Sequence, residues 1–181
     1  MTAFFLKKAK QNGVVIMDIR ISGAIEESIV DGPGVRYVVF TQGCPHHCEG
    51  CQNPETHDFG GGIVIDTEGI LKEFRANPLL GGITFSGGEP FCQPEPLCEI
   101  AKEVHSLGKS VWSFSGYTFE EILKLGEKQV ELLKNLDVLV DGKFLLAEKS
   151  LNLRFRGSKN QRLIDVKKSL EKEEVVLWEE D

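Results

Sequence analysis

The sequence predicts a single α/β domain, an incomplete TIM-like βα barrel on a mainly parallel sheet. Three observations carry this. Strand-like and helix-like segments alternate along most of the chain, the pattern of a parallel sheet with helical crossovers. Polar, glycine-bearing strings follow directly on strand-like segments: Thr41-Gln42-Gly43-Cys44, Ser86-Gly87-Gly88-Glu89, Ser115-Gly116-Tyr117 and Asp141-Gly142-Lys143. In parallel folds such strand ends share one face, where active sites sit. Finally, 181 residues leave room for about five or six βα units, whereas a closed eightfold barrel takes about 250 residues.

Residues 1–13 read as an N-terminal extension and residues 14–181 as the domain. Val14–Ile21 is rich in β-branched residues and reads as a strand. Asp31-Gly32-Pro33-Gly34 is a turn signal, and Val35–Thr41 reads as a buried strand behind it. Thr67–Ala76 has helical spacing, with Ile70, Leu71 and Phe74 on one face. Ile83–Ser86 is a short strand closed by Gly87-Gly88-Glu89-Pro90. Pro96–Leu107 is an amphipathic helix that Gly108 ends. Ser110–Phe114 is a strand. Thr118 caps the next helix, with Glu121 three residues on in a capping-box pattern. Asp137–Val140 and Leu163–Val166 read as strands, and Val175–Trp178 as a last edge strand or a packed tail.

The totals narrow the function class. A net charge of −7 argues against nucleic acid as a partner. No apolar run approaches the ~20 residues of a membrane span, and Phe4-Phe5-Leu6 is too short for a signal-peptide core. The five cysteines are odd in number and crowded, unlike a secreted disulfide framework, so a reducing, cytoplasmic setting is expected.

That crowding is the main chemical signal. Cys44, Cys48 and Cys51 form a C-x3-C-x2-C string. Soft thiolates this close are ligands for a clustered or soft metal. Three of them hold three irons of a four-iron cubane and leave the fourth open to a small molecule. A tetrahedral Cys3His zinc site completed by His46, His47 or His57 is the alternative, and would make an interaction module without redox chemistry. Gly87-Gly88-Glu89 suggests backbone close to a ligand, with a carboxylate for an ammonium group; a plain strand-to-helix turn reads equally well. Cys98 is expected to fill the core, Cys92 to lie near the site without being a ligand, and His105 to sit on a helix surface. Seven basic residues between Lys149 and Lys168 face one acid, Asp165, which makes either a solvated face or a docking surface. No acid–base dyad or nucleophilic triad is evident.

The cysteine string after a strand, with Gly-Gly-Glu-Pro some forty residues on, resembles the radical S-adenosylmethionine (SAM) superfamily. Further strings narrow the resemblance: Asp31-Gly32-Pro33-Gly34-Val35-Arg36, Cys51-Gln52-Asn53-Pro54, Asp141-Gly142-Lys143-Phe144, and Phe155-Arg156-Gly157-Ser158 with Asn160-Gln161. Together they are similar to the glycyl-radical activases of anaerobic ribonucleoside-triphosphate reductase, over about residues 18–166. The resemblance implies that residues 14–181 are a radical SAM domain and that Cys44, Cys48 and Cys51 hold a [4Fe–4S] cluster. It implies that SAM is the second cofactor, with Gly50, Gln52, Gly87, Gly88 and Glu89 against it. It implies reductive cleavage of SAM to a 5′-deoxyadenosyl radical that forms a glycyl radical on the large reductase subunit, with a small electron-donor protein. Gly50 stands where much of the superfamily has an aromatic residue, and Gln52 where related activases often have Tyr or His, so the resemblance implies a backbone contact there. Pyruvate formate-lyase activases and enzymes of the 7-carboxy-7-deazaguanine synthase type are the alternatives within the superfamily.

Overall fold

Near-continuous buried runs in the central strands drive the chain into a seven-stranded sheet covered on both faces, with helices against one of them. The computed structural model describes residues 9–11 and 14–179. Strands β1 (Ala9–Gln11) and β2 (Val14–Ile16) form a small separate hairpin. Of the extension expected over residues 1–13, only 9–11 are among the described residues, and the rest lies outside them. The main sheet takes β3 (Asp18–Ser28), β4 (Val35–Thr41), β5 (Ile63–Asp66), β6 (Leu80–Gly87), β7 (Ser110–Phe114), β8 (Val138–Asp141) and β9 (Arg162–Asp165). Their order is β5-β3-β4-β6-β7-β8-β9.

The pairs β4–β6, β6–β7 and β7–β8 are parallel. The expected parallel sheet is therefore the four central strands. Both edges are antiparallel: β3 on β4 and β5 on β3 at one side, β9 on β8 at the other. Strands β5 and β9 stand at opposite edges, so the sheet stays open.

Helices α1 (Thr67–Ala76), α2 (Pro94–Ser106), α3 (Phe119–Leu125), α4 (Glu127–Lys134) and α5 (Val166–Lys172) supply the layer. Asp66 caps α1 through Gly69 N–H, and Thr118 and Glu121 close the expected capping box on α3. One core joins Tyr37, Val39, Ile83, Phe85, Val111 and Leu139 of the strands to Ile70, Leu71, Leu97, Ile100, Val104, Ile122 and Leu133 of the helices. Cys98 fills this core, as expected. His105 is not a bare surface residue, since its Nε2 lies 2.9 Å from Asp137 Oδ2.

The other sheet face, the alternate residues of the same strands, carries a smaller cluster: Trp112, Val138 and Val140, with Phe155, Leu163 and Trp178 packed on it. Trp178 meets Trp112 edge-on at 4.9 Å, so the tail beyond β9 packs inward. At the N-terminal ends of the parallel strands, buried Arg36 anchors this face. Its Nε donates to Thr84 Oγ1 at 2.7 Å, and its terminal nitrogens to Ser110 Oγ at 2.9 Å and Ile83 O at 2.6 Å. The guanidinium lies 5.4 Å from the Trp112 ring centre. Burial lowers its pKa to about 10, against the pull of Asp137 and Asp31, so it stays charged at neutral pH. Thr84 Oγ1 passes the chain on to Asp31 O at 2.8 Å. The Asp31-Gly32-Pro33-Gly34-Val35-Arg36 string is thus a structural closure, at the end opposite the cysteines.

Arg36→Ala should cost about 3 kcal/mol or more, since it strips packing from Trp112 and leaves Thr84 and Ser110 short of partners. Urea denaturation of the metal-free protein measures this. A loss below about 0.5 kcal/mol, the surface-residue range, would contradict the anchoring role.

Candidate functional site

The four polar strings converge at the C-terminal end of β4, β6, β7 and β8, as the parallel register requires. The cysteine loop leaves β4 through Gln42, whose buried amide Nε2 donates to Glu55 O at 3.0 Å and Asp58 O at 2.6 Å. Backbone bonds close the loop's base: Gly43 N to Thr56 O at 2.8 Å and Cys44 N to His57 O at 3.2 Å. A short 3-10 turn at Pro54–Thr56 completes the return. Cys44, Cys48 and Cys51 therefore sit on one loop with both ends clamped. A turn from Cys51 N to Cys48 O, 3.2 Å, keeps the last two near each other.

Gly50 lies at φ 68°, in the left-handed region. A Cβ there would sit 2.9 Å from a methyl of Leu146. Leu146 thus stands against the place that a side chain here would take.

All five cysteines are free thiols. Backbone N–H groups point at the three crowded sulfurs. Asn53 N donates to Cys51 Sγ at 3.4 Å. The amides of His46 and His47 face Cys44, and that of Phe144 faces Cys48. Burial raises both the Cys44 and Cys48 thiols above their ordinary range, and these amides oppose it. N–H donors to sulfur are what iron–sulfur clusters use to settle charge and potential. Among the described residues no three His, Cys, Asp or Glu side chains converge on one point suited to a single ion. Three thiols on one loop with amide donors to their sulfurs suit an iron–sulfur cluster.

The Gly87-Gly88-Glu89 turn lies against this loop through its backbone. Gly88 N donates to Thr41 O at 2.8 Å and Glu89 N to Gly43 O at 2.9 Å. A Cβ on Gly88 would lie 2.5 Å from Gly43 O and 3.0 Å from Thr41 O. Here the structure adds to the sequence reading. The close approach that demands glycine is made by the chain itself, one residue from Cys44. Glu89 is fully buried. Its carboxylate accepts from Phe91 N at 3.0 Å, Gly116 N at 2.8 Å, Ser115 Oγ at 3.0 Å, and meets His46 Nε2 at 2.7 Å. His46, Ser115 and Gly116 thus meet at Glu89; the last two stand out in the sequence as a strand-end string, and His46 as a candidate zinc ligand. Cys92 lies near Cys44 and Glu89 and is exposed to solvent.

A lobe over residues 142–161 forms the second wall. Gln161 knots it: Oε1 accepts from Gly157 N at 2.9 Å and Ser158 N at 3.1 Å, while Nε2 donates to Gly142 O at 3.1 Å. Asn160 Nδ2 donates to Lys143 O at 2.8 Å. This is why the Asp-Gly-Lys-Phe, Arg-Gly-Ser and Asn-Gln strings occur together. Gln52 stands beside Gly157, where a Cβ would lie 3.1 Å from its Nε2, so the lobe touches the cysteine loop at both Gly50 and Gln52. The basic run divides. Arg162 bridges Asp141 at 2.5 Å and Glu120 at 2.8 Å, and Lys168 lies 2.9 Å from Asp165. Arg156 donates to Gln161 O at 2.6 Å. These charges serve the fold, while Lys149 and Lys159 are exposed on the lobe.

Fold and loop together define an iron–sulfur protein of the α/β type, and comparison with known proteins carries this further. A family model described as 4Fe-4S single cluster domain matches residues 30–164. The anaerobic ribonucleoside-triphosphate reductase-activating protein of Enterobacteria phage T4 is 38% identical over 143 residues, covering 74% of this chain and 86% of that protein. Its counterpart in Vibrio cholerae is 35% identical over 148 residues, covering 74% and 89%. The pyruvate formate-lyase-activating enzyme of Clostridium pasteurianum is 39% identical over 127 residues, covering 65% of this chain and 53% of that one. The solved structure of QueE from Escherichia coli overlaps with a TM-score of 0.47 at 15% identity, over 68% of this chain and 70% of that one. The chain belongs to the family of anaerobic ribonucleoside-triphosphate reductase-activating proteins, which carry a single-cluster 4Fe-4S domain.

Gly88→Val should displace Gly43 and, with it, Cys44. The variant is expected to keep its far-ultraviolet circular dichroism but take up less iron on anaerobic reconstitution. Parental iron content combined with lost ligand affinity would place the need for glycine at the ligand instead.

Proposed function

We propose that this chain activates an anaerobic ribonucleoside-triphosphate reductase as a radical SAM glycyl-radical activating enzyme. When bound, a [4Fe–4S] cluster held by Cys44, Cys48 and Cys51 and SAM held by the Gly87-Gly88-Glu89 turn would supply one-electron reductive chemistry able to abstract hydrogen from a glycine of the reductase. The protein's part is to hold, orient and shield. Cys44, Cys48 and Cys51 are the cluster ligands, with three thiolates for four irons. The Gly87-Gly88-Glu89 turn, Gly50 and the backbone at Gln52 form the bed for SAM. What supports this reading most is one juxtaposition: the cysteine loop and the Gly-Gly-Glu turn are joined backbone to backbone at the active end of a parallel sheet.

An open sheet suits a macromolecular substrate, because the side between β5 and β9 is not closed by strand pairing. The 142–161 lobe beside the cysteine loop carries exposed Lys149 and Lys159 with exposed Leu145, Leu146 and Leu151. That surface is the approach we assign to the reductase. A small electron-donor protein and a cytoplasmic location complete the proposal. Among the described residues no helix is long and apolar enough to cross a membrane.

Electron paramagnetic resonance on the reduced protein with SAM and the reductase should show a glycyl-radical doublet on the reductase. Cys48→Ala should abolish both the doublet and SAM cleavage, while Cys98→Ala keeps both, because Cys98 packs in the core behind α2. Full SAM cleavage in Cys48→Ala would refute the ligand assignment. Cleavage without a doublet would point to another radical SAM substrate.

A further inference from the structure

Glu89 is wholly buried and its acceptor capacity is used up within the chain. Oε1 takes Phe91 N at 3.0 Å and Ser115 Oγ at 3.0 Å. Oε2 takes Gly116 N at 2.8 Å, shares Ser115 Oγ at 3.1 Å, and meets His46 Nε2 at 2.7 Å. An ionised carboxylate only accepts and offers about four lone-pair sites. Contacts within the chain fill those sites, with His46 Nε2 against Oε2. Two donors are backbone amides set by β6 and β7, and one is the Ser115 hydroxyl at the end of β7. The last belongs to a side chain between the first two cysteines.

The His46 ring is held on its other sides as well. Its side chain is 6% exposed. It meets Tyr117 edge-on, with ring centres 4.4 Å apart. Gly116 leaves it room that no other residue would, since a Cβ there would lie 2.3 Å from His46 Cδ2. One imidazole thus ties the Cys44–Cys48 segment to the ends of two strands that the loop's own backbone bonds do not secure. The clamps at Thr56 and His57 hold the base of the loop, not its tip.

We propose that His46 is a positioning residue: by donating to Glu89 it fixes the Cys44–Cys48 segment over the ends of β6 and β7. Glu89 then serves the bound ligand through this frame and has no acceptor site left for a ligand ammonium group. Partners of this kind orient metal-ligating segments and tune what they hold. The proposal rests on the cluster reading for its consequence, but the pinning itself is a property of the metal-free chain.

The test uses His46→Leu, which removes the donor, and His46→Gln, whose amide N–H reaches toward the same oxygen. In the metal-free protein, alkylation of Cys44 by iodoacetamide is followed by peptide mass spectrometry. Cys44 is 8% exposed, and freeing the loop tip should raise its rate about tenfold in His46→Leu, the scale of losing one charge-assisted hydrogen bond. His46→Gln should restore most of the protection. In reconstituted protein the reduced-cluster resonance spectrum should shift in His46→Leu and return toward the parent's in His46→Gln. Glu89→Gln should match His46→Leu in both readouts, and the double variant should be no worse than the worse single one. Parental Cys44 protection and a parental spectrum in His46→Leu would overturn the proposal while leaving the cluster assignment standing. If the parent takes up no iron, the cluster reading fails, and the alkylation arm still decides the pinning. Should His46→Leu not fold, His46→Asn, too short to reach Glu89, takes its place in the same comparison with His46→Gln.

Discussion

The backbone seam between the ends of β4 and β6 is the constraint on which the site depends. Gly88 lies so close to the carbonyls of Thr41 and Gly43 that no side chain fits between them. That approach lets Gly88 N and Glu89 N bond to the strand that carries the cysteine loop. It also turns the Glu89 carboxylate inward, where donors from β7 and from His46 meet it. Remove the seam and three things separate: the loop with the thiols, the turn proposed to hold SAM, and the strand end at Ser115-Gly116.

The two ends of the parallel strands are built from different materials. The N-terminal end is closed by one cation: Arg36 is saturated by hydroxyls and carbonyls and covered by Trp112. The C-terminal end is gathered around one anion, Glu89. Parallel strands put all their C-terminal ends on one side, so a loop from each reaches the same place. Stability is concentrated at the first end and chemistry at the second. The 142–161 lobe adds a wall to the second end, through Leu146 on Gly50 and Gly157 on Gln52. Phe155 packs the lobe onto Trp112 of the sheet, and Arg162, the first residue of β9, bridges Asp141 of β8 and Glu120 of α3.

Much of this is legible in the sequence where the signal is local. Val35–Thr41, Ser110–Phe114 and the helix at Thr67–Ala76 fall where their patterns place them: the two strands are buried runs, and the helix buries one face against the core. The short edge strand Ile63–Asp66 carries no such signal, since it is mostly exposed. The final strand was readable, but not its antiparallel direction, because alternation encodes which face is buried and not which way the chain runs. The cysteine spacing marks out the loop proposed to hold the cluster. The partners of Glu89 do not show, because they come from segments up to 43 residues away and only the fold assembles them. A histidine between two cysteines reads in the sequence as a candidate ligand, and geometry shows it against Glu89 instead. Likewise the basic run looks uniform in sequence but is split by its partners into bridges of the fold and exposed lysines.

The account stands most directly on the claim that three thiolates hold a four-iron cluster with one iron left for SAM. Mössbauer spectroscopy of protein reconstituted anaerobically with iron-57 tests it. The account predicts a [4Fe–4S] signal in which one iron of the four changes its parameters when SAM is added, while the other three do not. Four irons unaltered by SAM, or a protein that takes up zinc and no iron, would contradict it.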